Sequence, residues 1–193
     1  MKIGVLAVQG AFIEHEAMLN RIGVDCVEIR RKEHLKGING IILPGGESTV
    51  QGLLLRKLDI LEPLTEIIND GLPVLATCAG LILLSEKISN DTERHIGTLP
   101  IVVKRNAYGR QLSSFEISSD VGEIKDFPMV FIRAPYIESV SQDVGILSRV
   151  DGKIVAVQYK NQIGLSFHPE LTLNPSVHEY FVNGIQTALC CAV

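Results

Sequence analysis

Strand-length apolar runs alternate with helix-patterned segments through the first half of this chain, and that alternation limits the fold more than any other feature. The runs are residues 3–8, 26–29, 41–43 and 73–76. Between them, residues 12–22 carry Phe12, Ile13, Ala17, Met18, Leu19 and Ile22 near one helical face, and Gly23 closes the segment. Residues 48–55 open a second helix, and residues 61–69 continue helically past Pro63 until Gly71. A further helix is expected over residues 81–87. Strands apolar along their length are buried on both faces, as in a parallel sheet covered by helices on each side. The pattern predicts an α/β, three-layer, doubly wound (flavodoxin-like) fold with a mostly parallel sheet.

After Ile96 the texture changes. Short strands at 101–103, 114–117, 129–132, 145–150, 154–159 and 163–167 are separated by turns, and Asp151-Gly152 and Lys160-Asn161 are hairpin signals. This half adds antiparallel strands, and residues 177–188 form a closing helix. With no internal repeat and no linker, residues 1–193 read as a single domain.

Composition narrows the functional classes. The net charge of −4 argues against a general nucleic-acid binder, whose footprint is a strongly basic patch. The one basic cluster, Arg30-Arg31-Lys32, reads as a solvated corner. No apolar run approaches the ~18 residues a membrane helix needs, and the N-terminal run is too short for a signal-peptide core. A cytoplasmic location is expected. The four cysteines, Cys26, Cys78, Cys190 and Cys191, form no CxxC pair and no zinc-type cluster, so they are expected as free thiols.

Three segments have the makings of a site. In Val74-Leu75-Ala76-Thr77-Cys78-Ala79-Gly80-Leu81 an apolar strand runs into a cysteine among small residues, and a helix follows. That is the pattern of a nucleophile elbow, whose tight turn demands small neighbours. A helix N-terminus stabilises a thiolate, and the N–H of Ala79 is a natural oxyanion donor. In Gly164-Leu165-Ser166-Phe167-His168-Pro169-Glu170 a strand ends in a possible base, His168, with a carboxylate two residues on to orient it. In Ile41-Ile42-Leu43-Pro44-Gly45-Gly46-Glu47-Ser48-Thr49 a strand ends in two glycines before a helix. Glycine permits conformations that aim N–H groups into a site. The same loop is compatible with phosphate binding or with a plain turn capped by Ser48, although it is neither a P-loop nor a GxGxxG motif. All three segments follow strands, so they can meet at the carboxyl edge of one sheet, where doubly wound folds bind ligands. His15, His34, His95 and His178 lack such a context and read as surface or internally satisfied residues.

Together the three segments resemble a triad-type (class I) glutamine amidotransferase. More narrowly, the chain resembles the glutaminase-subunit family of pyridoxal 5'-phosphate synthases. The resemblance rests on Gly4-Val5-Leu6-Ala7-Val8-Gln9-Gly10-Ala11, the Pro44-to-Thr49 loop, Thr77-Cys78-Ala79-Gly80-Leu81-Ile82, Arg105-Asn106-Ala107-Tyr108-Gly109-Arg110-Gln111, Phe131-Ile132-Arg133-Ala134-Pro135 and Phe167-His168-Pro169-Glu170-Leu171. It implies hydrolysis of L-glutamine to L-glutamate and ammonia by Cys78, His168 and Glu170. It implies an oxyanion hole at Gly46 and Ala79, and glutamine binding at Gly46, Glu47, Ser48, Arg105, Ile132 and Arg133. A guanidinium suits the substrate carboxylate and a carboxylate suits its ammonium; which residue meets which end stays open. The resemblance further implies no metal and no organic cofactor in this chain. It implies a partner, a (β/α)8-barrel synthase subunit in a multi-subunit complex that uses the ammonia with ribose 5-phosphate and glyceraldehyde 3-phosphate, and glutaminase activity that depends on docking. One departure is Ala76, where many members of the wide class have glycine two residues before the nucleophile; alanine is still small.

Three other readings stand beside this one. A cysteine peptidase or stress-response hydrolase shares the elbow but lacks the late His-Pro-Glu and the glycine loop. A degenerate scaffold would not need an intact triad. An amidotransferase subunit serving another acceptor pathway would share the triad and differ at the Arg105-to-Gln111 and Ile132-to-Pro135 segments.

Overall fold

The computed structural model describes residues 1–105 and 114–191, the last in backbone only. The stretch from Asn106 to Gln111 of the fourth motif lies outside the described residues. Along the chain, the first elements are β1 (Ile3–Leu6), α1 (Phe12–Arg21), β2 (Cys26–Ile29), β3 (Gly40–Leu43), α2 (Ser48–Lys57), α3 (Leu61–Asn69), β4 (Val74–Thr77) and α4 (Ala79–Leu84). They are followed by β5 (Ser85–Ile88), β6 (Leu99–Lys104), β7 (Ser114–Val121), β8 (Ile124–Ile132), β9 (Tyr136–Val140), β10 (Gly145–Val150), β11 (Lys153–Tyr159), β12 (Gln162–Leu165) and α5 (Ser176–Cys191).

The main sheet runs β2-β1-β3-β4-β12-β11-β9-β6-β5, with β10 paired to β11. From β2 to β12 all neighbours are parallel. Beyond β12 the pairings are antiparallel until β5 and β6, which are parallel again. β7 and β8 form a separate antiparallel hairpin. This is the mostly parallel α/β sheet with added antiparallel strands that the sequence predicts. Among the described residues no helix is long and apolar enough to cross a membrane.

β1, β3 and β4 are buried along their whole length because each face meets its own core. Ile3, Val5, Ile42 and Leu75 point into one cluster with Leu19 of α1 and Val177, Phe181 and Ile185 of α5. Their alternates Leu6, Ile41, Leu43, Val74 and Ala76 point into another with Leu55, Leu64 and Leu83 of α2, α3 and α4. The period-2 alternation of strand side chains sorts them between the two layers. Helix ends follow their glycines: Gly23 and Gly71 take φ of +73° and +102°, which a Cβ would strain. The β10–β11 turn at Asp151 and Gly152 has φ positive at both residues, as a two-residue hairpin requires.

Several local expectations are corrected. The helix expected over 81–87 starts at Ala79 and stops at Leu84. Ser85 turns its hydroxyl back to the Ile82 carbonyl (2.8 Å), and Ser85–Ile88 pair in parallel with β6, Ile88 inward and Glu86 and Lys87 outward. β9 was not foreseen: it follows Pro135 and carries exposed Glu138 and Ser139 beside buried Ile137, so its alternation is faint. β7 and β8 are longer than their apolar centres because hairpin pairing carries on through polar residues. On α1, Ile13 faces solvent and His15, Met18 and Leu19 form the buried stripe instead.

Candidate active site

The parallel register places the two halves of the site side by side. Thr77 at the end of β4 pairs with Leu165 at the end of β12. Cys78 follows the first strand and His168 stands three residues beyond the second, so both project from the carboxyl edge of the sheet. The Cys78 N–H donates to the Leu165 carbonyl (2.8 Å), which ties the turn to the neighbouring strand.

Cys78 has φ +47° and ψ −98°. A side-chain-bearing residue held there stores about 1–3 kcal/mol of strain, the elbow the sequence predicts. The turn fits only because its neighbours are small: a Cβ at Gly80 would stand 2.1 Å from the Leu43 carbonyl oxygen. The Cys78 thiol lies 3.9 Å from the Ile132 carbonyl oxygen.

The glycines of the Pro44-to-Thr49 loop are needed for space, not for left-handed backbone. Neither Gly45 nor Gly46 has positive φ. A Cβ at Gly45 would stand 2.2 Å from His168 Cε1, and one at Gly46 would stand 2.5 Å from Gln9 Oε1. The loop is pinned on both sides. The Gly45 N–H donates to Thr77 Oγ1 (2.9 Å), and the Gly45 carbonyl accepts from the Ala11 N–H (3.0 Å). Gln9 accepts the Glu47 N–H (2.9 Å), while Gln51 donates to the carbonyls of Gln9 (2.9 Å) and Pro44 (3.2 Å). The cap of α2 is Glu47 rather than Ser48: its carboxylate accepts from the N–H groups of Thr49 and Val50. Two carboxylate oxygens reach two orphan amides, where one hydroxyl would reach one.

On the base side, His168 Nδ1 stands 2.7 Å from Glu170 Oε1, with both groups buried. The bond fixes the ring and leaves Nε2 to the cleft. Burial opposes the imidazolium, but hydrogen bonds to the Cys78 thiol and to Glu170, with their charges, outweigh it and push His168 up to about 10. Burial also opposes ionisation of Glu170, yet His15, the His168 hydrogen bond and the His168 charge hold its carboxyl below the usual range. The His168 N–H donates to the Val130 carbonyl (2.8 Å), so β8 props the strand end from outside the main sheet.

A cleft of about 370 Å³ opens over these groups, within the usual range for a small-molecule site. Gly46, Glu47, Ser48, Cys78, Ala79, Arg105, Ile132, Arg133 and His168 line it, so the structure brings together every predicted site residue except Glu170, which sits behind His168. Arg105 and Glu47 also pair with each other (3.1 Å), and Arg105 with Asp91 (2.8 Å). Among the described residues Arg133 has no ion pair, and it is exposed with φ +44°. Among the described residues no group of three His, Cys, Asp or Glu side chains is arranged to hold a metal ion.

Sequence reasoning missed what lies behind the cleft. His15 and His178, expected at the surface or satisfied without context, are both fully buried. Nδ1 of His15 is 2.9 Å from Nε2 of His178, and Nε2 of His15 is 3.2 Å from Thr77 Oγ1 and 3.4 Å from Glu170 Oε2. A signal existed: His15 stands three and four residues before Met18 and Leu19, on the inward face of α1. His95 is also buried, against Gly52, with neither ring nitrogen hydrogen-bonded among the described residues.

A thiol on a strained strand-to-helix turn, opposite a carboxylate-oriented imidazole and beside a glycine-loop amide edge, suits acyl transfer from a small amide, and likeness to known proteins puts the chain in the class of glutamine amidotransferases. A solved structure described as "Crystal structure of glutamine amidotransferase" superposes with a TM-score of 0.92 at 40% identity, covering 95% of this chain and 98% of the other. The chain belongs to the SNO glutamine amidotransferase family, whose sequence model matches residues 5–187. It is 61% identical over 186 residues to the pyridoxal 5'-phosphate synthase subunit PdxT of Desulfitobacterium hafniense (strain DSM 10664 / DCB-2), covering 96% of this chain and 94% of that one. It is 53% identical over 187 residues to the PdxT of Haemophilus influenzae (strain PittEE), covering 95% and 97%. PurLQS from Thermotoga maritima, at 18% identity and a TM-score of 0.67, shares the fold.

Proposed function

We propose that Cys78, His168 and Glu170 are the catalytic triad of this glutaminase, and that it supplies ammonia to a pyridoxal 5'-phosphate synthase partner in vitamin B6 biosynthesis. The observation that carries the triad is the buried 2.7 Å contact between His168 and Glu170, in one cleft with the strained Cys78.

The chemistry follows from the geometry. Cys78 Sγ attacks the side-chain carbonyl carbon of glutamine as a thiolate, its proton having passed to His168. The C=O electron pair moves onto oxygen, and N–H groups of Gly46 and Ala79 hold that oxyanion. Collapse breaks the C–N bond, and the His168 proton goes to the departing nitrogen as ammonia. Water then attacks the thioester and gives a proton to His168. The C–S bond breaks, glutamate leaves, and the thiol is restored. Glu170 stays ionised and holds the imidazole through both steps.

Recognition of the amino-acid end falls to Glu47, Ser48, Arg105, the Ile132 backbone and Arg133. Arg133, unpaired among the described residues, takes the α-carboxylate, while Glu47 faces the α-ammonium from its place on Arg105. The partner is a (β/α)8-barrel synthase subunit within a multi-subunit complex, and docking switches the glutaminase on. A flip of the Gly45–Gly46 peptide is a physical route for that switch, since it would break the Gly45–Ala11 hydrogen bond and turn the Gly46 N–H around. Residues 1–193 act as one catalytic domain that needs no metal or organic cofactor, in the cytoplasm, where thiols remain reduced.

Ammonia and glutamate release from glutamine, with and without the synthase subunit, tests this reading. Activity that needs the partner and falls by at least about 10³-fold in Cys78→Ala is expected. Activity retained in Cys78→Ala overturns the triad. Equal rates with and without the partner overturn the switch, and no activity with the partner overturns the pathway assignment.

A further inference from the structure

Glu170 uses one carboxylate oxygen on His168, and its other oxygen, Oε2, is buried with no hydrogen bond to the described residues. A desolvated carboxylate oxygen without a donor is costly. The group placed to meet it is His15, whose Nε2 is 3.4 Å away and also 3.2 Å from Thr77 Oγ1. Thr77 Oγ1 in turn receives the Gly45 N–H at 2.9 Å. His15 thus lies between the base's carboxylate and the glycine loop, which otherwise belong to different strands.

The tautomer follows from the partners. Glu170 accepts only, so the His15 proton belongs on Nε2, toward Oε2 and Thr77. Nδ1 of His15 then accepts from Nε2–H of His178 at 2.9 Å. Nδ1 of His178 is left as a bare acceptor, which agrees with its having no partner. The charged and titratable groups acting on His15 are Glu170, His168, Glu14 and His178, and its burial keeps the ring neutral. A neutral donor supports an ionised Glu170 without drawing the charge away from His168.

We propose that His15, seated by His178, is a positioning residue that locks the triad carboxylate and the oxyanion loop into one unit through Glu170 Oε2 and Thr77. This inference rests on the triad reading above. The lock runs from the Gly45 N–H to Thr77, from His15 to both Thr77 and Glu170, and from Glu170 to His168. Its effect is on geometry at the reacting atoms, where a displacement of about 1 Å costs on the order of 10²-fold in rate.

The test is steady-state glutaminase kinetics of the complex with the synthase subunit, with Cys78→Ala as a control. His15→Leu is expected to lower kcat about 10²-fold with KM within about threefold, because the groups that face glutamine are untouched. His15→Gln, whose amide N–H can replace the Nε2 donor, is expected to recover most of that loss. Should His15→Leu fail to fold, Thr77→Val breaks the loop end of the lock at constant shape and is expected to lower kcat about tenfold, with Thr77→Ser restoring it. A rise in KM at unchanged kcat, equal losses in His15→Leu and His15→Gln, or wild-type kcat in Thr77→Val overturns the proposal. If Cys78→Ala matches wild type, the triad reading fails, and this proposal fails with it.

Discussion

The two sides of the cleft are held in place by different means. The nucleophile side is set by backbone: a residue at φ +47°, two loop glycines with no room for a Cβ, and a third, Gly80, against the Leu43 carbonyl. The base side is set by side chains: His168 on Glu170, Glu170 beside His15, His15 on His178, and the β8 backbone behind His168. A backbone-built site resists changes of charge and breaks when atoms are added. A side-chain-built site tolerates bulk nearby and breaks when one polar group is exchanged for another.

The largest expected effect tests the second half of that statement. Glu170→Gln keeps shape and removes charge. The His168 ring loses the partner that, with Cys78, offsets the cost of its burial, so its pKa falls from about 10 toward the ordinary histidine range. A triad whose carboxylate becomes an amide loses about 10⁴ in kcat. Steady-state ammonia release should show a loss of that order with KM little changed, and a loss below tenfold would mean that the backbone alone positions His168. Next comes the prop behind the base. Phe131 is 1% exposed, stacks on Phe115 with centroids 4.5 Å apart and meets Phe167 edge-on at 5.8 Å. Phe131→Ala should cost about 3–5 kcal/mol in urea unfolding, and the base side should loosen with it.

Gly45→Ala makes the converse test on the nucleophile side. It adds one methyl group and no charge, at a position whose φ is not left-handed. The new Cβ would fall 2.2 Å from His168 Cε1, so the ring must move. A loss of about 10²-fold in kcat is expected, with thermal stability changed far less than in Phe131→Ala. A fully active Gly45→Ala enzyme would show that the loop has slack where the structure shows contact.

The same contrast explains what was legible in the sequence. The nucleophile side is written in local order: an apolar strand, small residues around Cys78, then Gly80, and a glycine pair after β3. Backbone constraints act between near neighbours, so they leave motifs. Even there the reason given for Gly45 and Gly46 was incomplete, because close approach to His168 and Gln9 is a contact between distant segments. The base side shows only its end, His168-Pro169-Glu170. His15 and His178 are 163 residues apart and meet through the packing of α1 and α5, which periodicity does not report. The parallel sheet was legible for the nucleophile side's reason. β9 and the short helix α4 were not, since their limits depend on pairing with β6 and β11 rather than on their own residues.

Buried histidines leave a trace in the pH dependence of stability, smaller than the effects above. Burial holds His178 down to about 3, while the unfolded chain protonates near 6.5. Below about pH 6.5 the unfolded state therefore binds the extra proton, and the stability contributed by neutral His178 is lost as pH falls toward about 3. His15 and Glu170 act in the same sense, since both are lowered in the folded state. His168 acts oppositely: its contribution is complete below about 6.5 and is lost as pH rises through about 10. Urea midpoints should form a plateau between these limits. One proton corresponds to about 1.4 kcal/mol per pH unit, and His178→Phe should flatten the acid limb by about that slope. An unchanged acid limb would mean that His178 does not carry it and would leave it to His15 and Glu170.

The smallest effect separates strain from packing on the nucleophile side. Cys78→Ala and Cys78→Gly both delete the thiol and its 3.9 Å contact with Ile132, so their difference isolates the Cβ. With φ +47° and ψ −98°, the alanine variant keeps the strained backbone that the glycine variant relieves, about 1–3 kcal/mol. Glycine also frees the unfolded chain, which costs about 0.4–1 kcal/mol. The balance favours Cys78→Gly by roughly 1 kcal/mol, read as a higher urea midpoint than that of Cys78→Ala. If Cys78→Gly is the less stable of the two, the turn is relaxed with a Cβ in place, and the bonds that the Cys78 and Gly45 N–H groups donate to Leu165 and Thr77, not a strained backbone, are what hold the nucleophile side.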